Sequence, residues 1–182
     1  MKYTYFCAVV AKALFCAGLT TAAALQQRAS TSFKLFAYGG DGTIDGLPVF
    51  YSDGLAYAGL KTPSGSSVNT NITVAQTASS LTIASGNNST PLNGTSLLYI
   101  DVSSAAYSPV GFTATDAVPT KMTTGFIFYG SWAMWEDSAG KITSLFYATP
   151  TAQEGLYLLK WNQGVVDDGK SISISLKKRS VE

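Results

Sequence analysis

From Thr31 onward the chain carries short runs in which apolar residues fall at every second position. Each run is closed by glycine, asparagine, aspartate or serine. A period of two marks a strand with one buried face. The runs predict strands at Thr31 to Tyr38, Leu47 to Ser52, Leu55 to Leu60, Thr70 to Gln76, Ser80 to Ser85, Ser96 to Val102 and Val110 to Ala114. Thr124 to Trp135 reads as one more strand, with a bulge or bend at Gly130. Lys141 to Thr149, Gly155 to Trp161 and Ser171 to Lys177 follow. Gly155 to Trp161 is apolar on both faces except at Lys160, which predicts a central strand, whereas Ser171 to Lys177 alternates strictly and should be half exposed. No segment beyond the N-terminal apolar stretch has a helical period. Such a pattern predicts an all-β fold, a single antiparallel β-sandwich or jelly-roll-like domain.

The N-terminus reads MKYTYFCAVVAKALFCAGLTTAAALQQR. A basic start at Lys2, an apolar stretch from Tyr5 to Leu19 interrupted by Lys12, and Ala22-Ala23-Ala24 form a secretory signal peptide. The expected division is therefore residues 1–24 as leader and 25–182 as the secreted β-sandwich domain. The apolar run falls short of the ~20 residues of a membrane span. No membrane association is expected after cleavage, and the location is secreted, extracellular or cell wall. Near the other end, Lys178-Arg179 is either a processing site that would release Ser180-Val181-Glu182 or a solvated basic tail.

Cys7 and Cys16, the two cysteines, both lie in the leader, and the chain has no histidine. These absences exclude a disulfide framework, Ser-His-Asp and Cys-His catalysis, Cys/His zinc sites and histidine-bound copper or iron. No cofactor and no metal are expected. The formal net charge is +1 and the charges are scattered along the sequence, so nucleic acid is not an expected partner. The secreted part is long enough to bury roughly two-thirds of its unfolded surface, which removes the need for a disulfide.

The stretch GGDGTIDGLPVFYSDGLAY raises the possibility of a carboxylate cluster. Asp53-Gly54 is a strong two-residue hairpin signal, with Phe50 falling opposite Tyr57 and Leu47, Val49, Tyr51, Ala56, Ala58 and Leu60 on the core face. Asp53 then serves a turn that wants positive φ. GGDGTIDG departs from a calcium-binding repeat, since Ile44 stands where its aspartate belongs. Asp41 and Asp45 would supply two of the ~6–8 oxygens calcium takes, so a glycine-rich loop is the favoured reading. Asp167-Asp168-Gly169 reads as another hairpin turn.

Sequons occur at Asn71, Asn87, Asn88 and Asn93, the last three in the loop-like GNNSTPLNGT. Behind a leader they predict N-glycosylation. The strongest ligand-binding candidates are Trp132, Trp135, Glu136 and Asp137. Indole rings stack on sugar faces, and carboxylates accept bonds from sugar hydroxyls. The competing reading is core tryptophans followed by the polar turn EDSAGK. Glu136 and Asp137 point to opposite faces of a strand, so a catalytic pair would need Asp101, Asp116 or Glu154 as a partner in space. No catalytic residue is assigned.

Together FKLFAYGG, GLPVFYSDGLAYAG, TGFIFYGS, SLFYATP and GLYLLKWN resemble a group of small secreted cysteine-free β-rich proteins of filamentous fungi. The resemblance implies an extracellular or cell-wall location and no mechanism. The expected function is a non-catalytic protein of the cell wall or extracellular matrix, structural or carbohydrate-binding, with cell-wall polysaccharide or an extracellular protein as partner. The alternatives are a carbohydrate-active hydrolase using two carboxylates and a secreted protein-binding effector.

Overall fold

Alternating apolar residues and tight polar turns yield strands throughout. The computed structural model describes residues 31–40, 42–86, 90–92, 94, 96–114 and 120–181, and every regular element among them is a strand. The expected leader, residues 1–24, lies outside the described residues. The strands are β1 (Phe33–Gly39), β2 (Leu47–Ser52), β3 (Leu55–Gly59), β4 (Asn69–Thr77), β5 (Ser80–Ser85), β6 (Ser96–Asp101), β7 (Tyr107–Pro109) and β8 (Gly111–Thr113). They continue with β9 (Lys121–Met122), β10 (Phe126–Tyr129), β11 (Trp132–Glu136), β12 (Ile142–Thr143), β13 (Phe146–Pro150), β14 (Leu156–Asn162) and β15 (Ile172–Ser180). The fold is all-β, antiparallel and sandwich-like, as the alternation implies.

The β2–β3 hairpin organises the rest. Asp53 and Gly54 take φ of 45° and 87°, the type I′ pattern whose twist suits paired strands. Phe50 then stands opposite Tyr57, and their rings stack at 5.9 Å. One edge of β2 meets β1 at Leu47 and Pro48, then β4 from Phe50 to Ser52. The free edge of β3 meets β8 at Leu55, then β14 from Tyr57 to Gly59. Two closed circuits result, both containing this hairpin. One passes through β1, β2, β3, β14, β13 and β15; the other passes through β2, β4, β5, β6, β8 and β3. Closure pairs edges that an open sheet would leave to other chains.

The inward residues form one core that includes Leu35, Ala37, Ile44, Ala56, Ala58, Ile100, Phe126, Phe146, Leu159 and Trp161, all fully buried. Trp161 holds its centre, edge-on to Phe146 at 5.0 Å and to Trp135 at 6.0 Å. Such ring pairs add about 0.5–1.5 kcal/mol each beyond their burial. Its strand, β14, is central as expected, with β13 on one side and β3 and β7 on the other.

Several local expectations need correction. Thr124 to Trp135 is not one bent strand. It is a hairpin, β10 and β11, turning at Gly130-Ser131 with Tyr129 opposite Trp132. Gly130 has φ 60°, which suits the first central residue of a type II′ turn. Asp167-Asp168-Gly169 does not close a hairpin, because β13 lies between β14 and β15 and the loop crosses over it. Leu60 is not in the core; it is 83% exposed just past the end of β3. Lys141 to Thr149 divides into β12 and β13, and the short β7 and β9 carry too few residues to show a period.

Candidate functional site, an aromatic and cationic face

Period two on β1 sends Phe33, Leu35 and Ala37 inward and leaves Lys34, Phe36 and Tyr38 outside. In the β1–β15 ladder Lys34 stands opposite Arg179 and Phe36 opposite Lys177. The Arg179 guanidinium lies 4.7 Å from the centre of the Phe36 ring and 5.4 Å from that of Tyr38. The Lys177 ammonium lies 5.6 Å from the Tyr38 ring and 5.2 Å from Trp132. Trp132 is edge-on to Tyr38 at 5.7 Å and pairs across its hairpin with Tyr129, which is 75% exposed. Phe36, Tyr38, Trp132 and Tyr129 thus share the outer side of β1, β11 and β10, with Arg179 and Lys177 set among them and Tyr38 partly covered, its hydroxyl buried. Each cation–ring contact at an exposed site contributes about 0.5–1 kcal/mol and fixes a long side chain in place.

Beyond Phe36 the surface sinks into a groove of about 550 Å³ across β1, β2 and β4. Phe36, Pro48 and Phe50 form part of its lining, with Asn69 and Asn71 from β4 and the exposed Leu60 and Lys61 from the segment after β3. A second hollow of about 460 Å³, lined by Lys34, Phe36, Arg179 and Ser180, shares Lys34 and Phe36 with it. Among the described residues neither lining contains a carboxylate. Cations scattered in sequence are here gathered in space.

Strand parity separates the four residues singled out from sequence. Trp132 faces outward. Trp135 is 8% exposed in the core, and its indole N–H donates to the Thr124 carbonyl at 3.0 Å. It is a packing residue, not a ligand contact. Gly125 makes room for it: a Cβ there would lie 2.6 Å from the Glu136 carbonyl and 2.7 Å from the Trp135 ring nitrogen, at a φ of 90°. Glu136 shares the outer side of β11 with Trp132 but sits at the strand's other end, beside Ile142. Asp137 belongs to the turn, where its carboxylate accepts from the amides of Ala139 and Lys141 at 2.8 and 2.9 Å.

Of the other acids named from sequence, Glu154 is exposed between β13 and β14, whereas Asp45, Asp53, Asp101 and Asp168 are engaged in local structure. Asp45 accepts from the Gly39 amide at 2.9 Å while neighbouring Ile44 is buried, so the glycine-rich loop is pinned by one apolar and one polar anchor. Asp53 accepts from the Ser67 and Val68 amides at 2.8 and 2.7 Å. Burial pushes the Asp101 carboxyl upward, but bonds from the Ser103 hydroxyl and amide and from Ser108, helped by Lys121, outweigh it and leave it below the usual range. Asp168 is held far below its ordinary value by the Ser171 amide and hydroxyl, then by the Lys170 amide and the Tyr107 hydroxyl. Among the described residues no three acids gather to hold a metal ion. Asp41 and Asp116 lie outside the described residues.

Asn71 is exposed on β4, opposite Phe50, and lines the groove. Asn87, Asn88 and Asn93 lie outside the described residues. Sequence reasoning missed Phe36, Tyr38, Lys177 and Arg179 as a group. Their signal was present as outward aromatic and basic residues at alternate positions of KLFAY and LKKRS, but nothing in one chain says that these two strands are neighbours. No protein family, curated protein or solved structure matches the chain.

Proposed function

We propose that this chain is a secreted, N-glycosylated, non-catalytic protein of the cell wall or extracellular matrix, and that it binds carbohydrate through the face carrying Phe36, Tyr38, Trp132 and Tyr129. The observation that carries this reading is the row of rings held on the outside of a closed sheet by Lys177 and Arg179. A protein whose outer strand positions had no partner would gain solubility from polar side chains there. Flat apolar rings at those positions instead suit the C–H faces of sugars, with the cations available to ring oxygens and hydroxyls. A glycosidase needs two carboxylates about 5–9.5 Å apart across the bond, and among the described residues none lines the groove. The acids closest in sequence to the rings are an exposed strand-end residue, Glu136, and a turn-capping one, Asp137.

The test is sedimentation of the mature protein with insoluble chitin, β-glucan and cellulose, with reducing sugar measured in the same tubes. The expected result is binding to at least one polymer without sugar release, weakened about tenfold or more in Trp132→Ala. Protein that stays in the supernatant with all three would overturn the neutral-glycan reading, and release of sugar would move attention to the carboxylates. A mass shift on deglycosylation that Asn71→Gln reduces would establish the modification at that sequon.

A further inference from the structure

The groove has a chemistry that rings alone do not explain. Lys34, Lys61 and Arg179 line it and its adjoining hollow, while no acid among the described residues does; the Lys61 ammonium also donates to the Glu154 carbonyl at 2.9 Å. Lys34 and Arg179 stand side by side on neighbouring strands, which places their backbones roughly 5 Å apart. Like charges so placed repel each other in the free protein, and a bound anion removes that cost. The chain as a whole is close to neutral, so this concentration is local and not a consequence of overall basicity. Along β1 the outward positions Lys34, Phe36 and Tyr38 follow at a spacing of roughly 7 Å, a cation and then two rings. A polymer that presents a sugar face and a negative charge in every unit matches such an array.

We infer that the ligand is an acidic polysaccharide, a polyuronate chain whose carboxylates pair with Lys34, Lys61 and Arg179 while a sugar face lies against the partly exposed Phe36. This rests on the carbohydrate-binding reading and names its ligand class. Single-stranded nucleic acid likewise offers stacking faces and a charge in every unit, so an oligonucleotide is the competing ligand in the test; the near-neutral chain, without the broad basic face of nucleic-acid binders, favours the glycan.

The probe is polygalacturonate, compared with the same polymer fully methyl-esterified, which keeps the sugar and removes the charge. Binding of the full mature protein is measured by titration at low and high salt. Polygalacturonate should bind at least about tenfold more tightly than the ester, and the difference should shrink as salt rises. Lys34→Gln with Arg179→Gln should weaken the acidic polymer by about tenfold or more, and the esterified polymer much less. Lys170→Gln, an exposed cation away from the groove, serves as control and should change nothing. Equal binding of the acidic and esterified polymers, in wild type and double variant alike, would overturn this inference and leave carbohydrate binding standing. Failure to bind either polymer or any neutral glycan would overturn both. Tighter binding of a single-stranded oligonucleotide than of polygalacturonate would also overturn the inference.

Discussion

Val165 is a β-branched residue at φ 53°, 84% exposed at the tip of the loop between β14 and β15. The strain comes from its neighbours. Asn162, 2% exposed, donates from its amide to the Val166 carbonyl at 2.7 Å and accepts from the Val166 amide at 2.8 Å. That clamp forces the intervening chain through the left-handed region, which costs an L-residue roughly 1–2 kcal/mol. Val165→Asn should therefore raise stability by about 1 kcal/mol in chemical denaturation, without touching the aromatic face. In the same loop Asp168 carries a pH dependence. Its folded carboxyl lies below the ordinary value of 3.8, so its stabilisation is complete above that pH and is lost as pH falls below it. Asp168→Asn should flatten the acid limb of a stability–pH curve while leaving its shape above neutrality unchanged. These residues differ in how far they could be read in advance. Asp53 was legible because a hairpin turn depends on its own backbone and its immediate flanks. Asp168 was legible only in part: its bonds to Lys170 and Ser171 are local to the turn, whereas its Tyr107 partner lies 61 positions away.

At the scale of elements, the β10–β11 hairpin sorts two tryptophans that sequence treats alike. Trp132→Ala should lose polymer binding and cost about 1–2 kcal/mol, because its ring is only partly buried and gives up its contacts with Tyr38 and Lys177. Trp135→Ala should cost about 3–5 kcal/mol, because it opens a cavity against Trp161 and strands the Thr124 carbonyl that its indole satisfied. Thermal or denaturant melts read beside a binding assay separate the two. The hairpin itself was misread for a physical reason: TGFIFYGSWAMW is apolar almost throughout, so only Gly130-Ser131 marks the reversal, and one glycine in an apolar run also fits a bulge. β2 and β3 were legible to the residue, or nearly so, because Asp53-Gly54 interrupts a clean alternation. Strand β4 adds a further expectation. Its exposed Asn71 lines the groove across from Phe50, so a glycan there narrows access. Asn71→Gln, produced in a glycosylating host, should bind polygalacturonate more tightly than wild type by a few fold, and equal affinity would place the glycan clear of the groove.

At the scale of the whole molecule, the face exists because the described chain closes on itself. β1 and β15 pair from Phe33 opposite Ser180 to Gly39 opposite Ile174, and this ladder brings Lys34 and Phe36 to Arg179 and Lys177. Strand existence could be read from alternation, but the pairing of the first strand with the last depends on burial across the entire core, which no local pattern encodes. The same ladder bears on the dibasic pair. Lys178 stands opposite Leu35 and donates its amide to the Ser131 carbonyl at 2.8 Å, while Arg179 stands opposite Lys34. A protease that reads Lys178-Arg179 must hold that segment extended in its own cleft, so the end of β15 would first have to peel from β1. Each ladder bond lost in peeling costs about 0.5–1.5 kcal/mol, and several are lost together. The folded protein should therefore resist a dibasic-specific protease under conditions in which the urea-unfolded chain is cut after Arg179, with intact mass as the readout. If the folded protein is cut as fast as the unfolded one, the β1–β15 ladder frays at its end. Arg179 would then be left at a new C-terminus, its place beside Phe36 would loosen, and polyuronate binding should fall with the extent of cleavage.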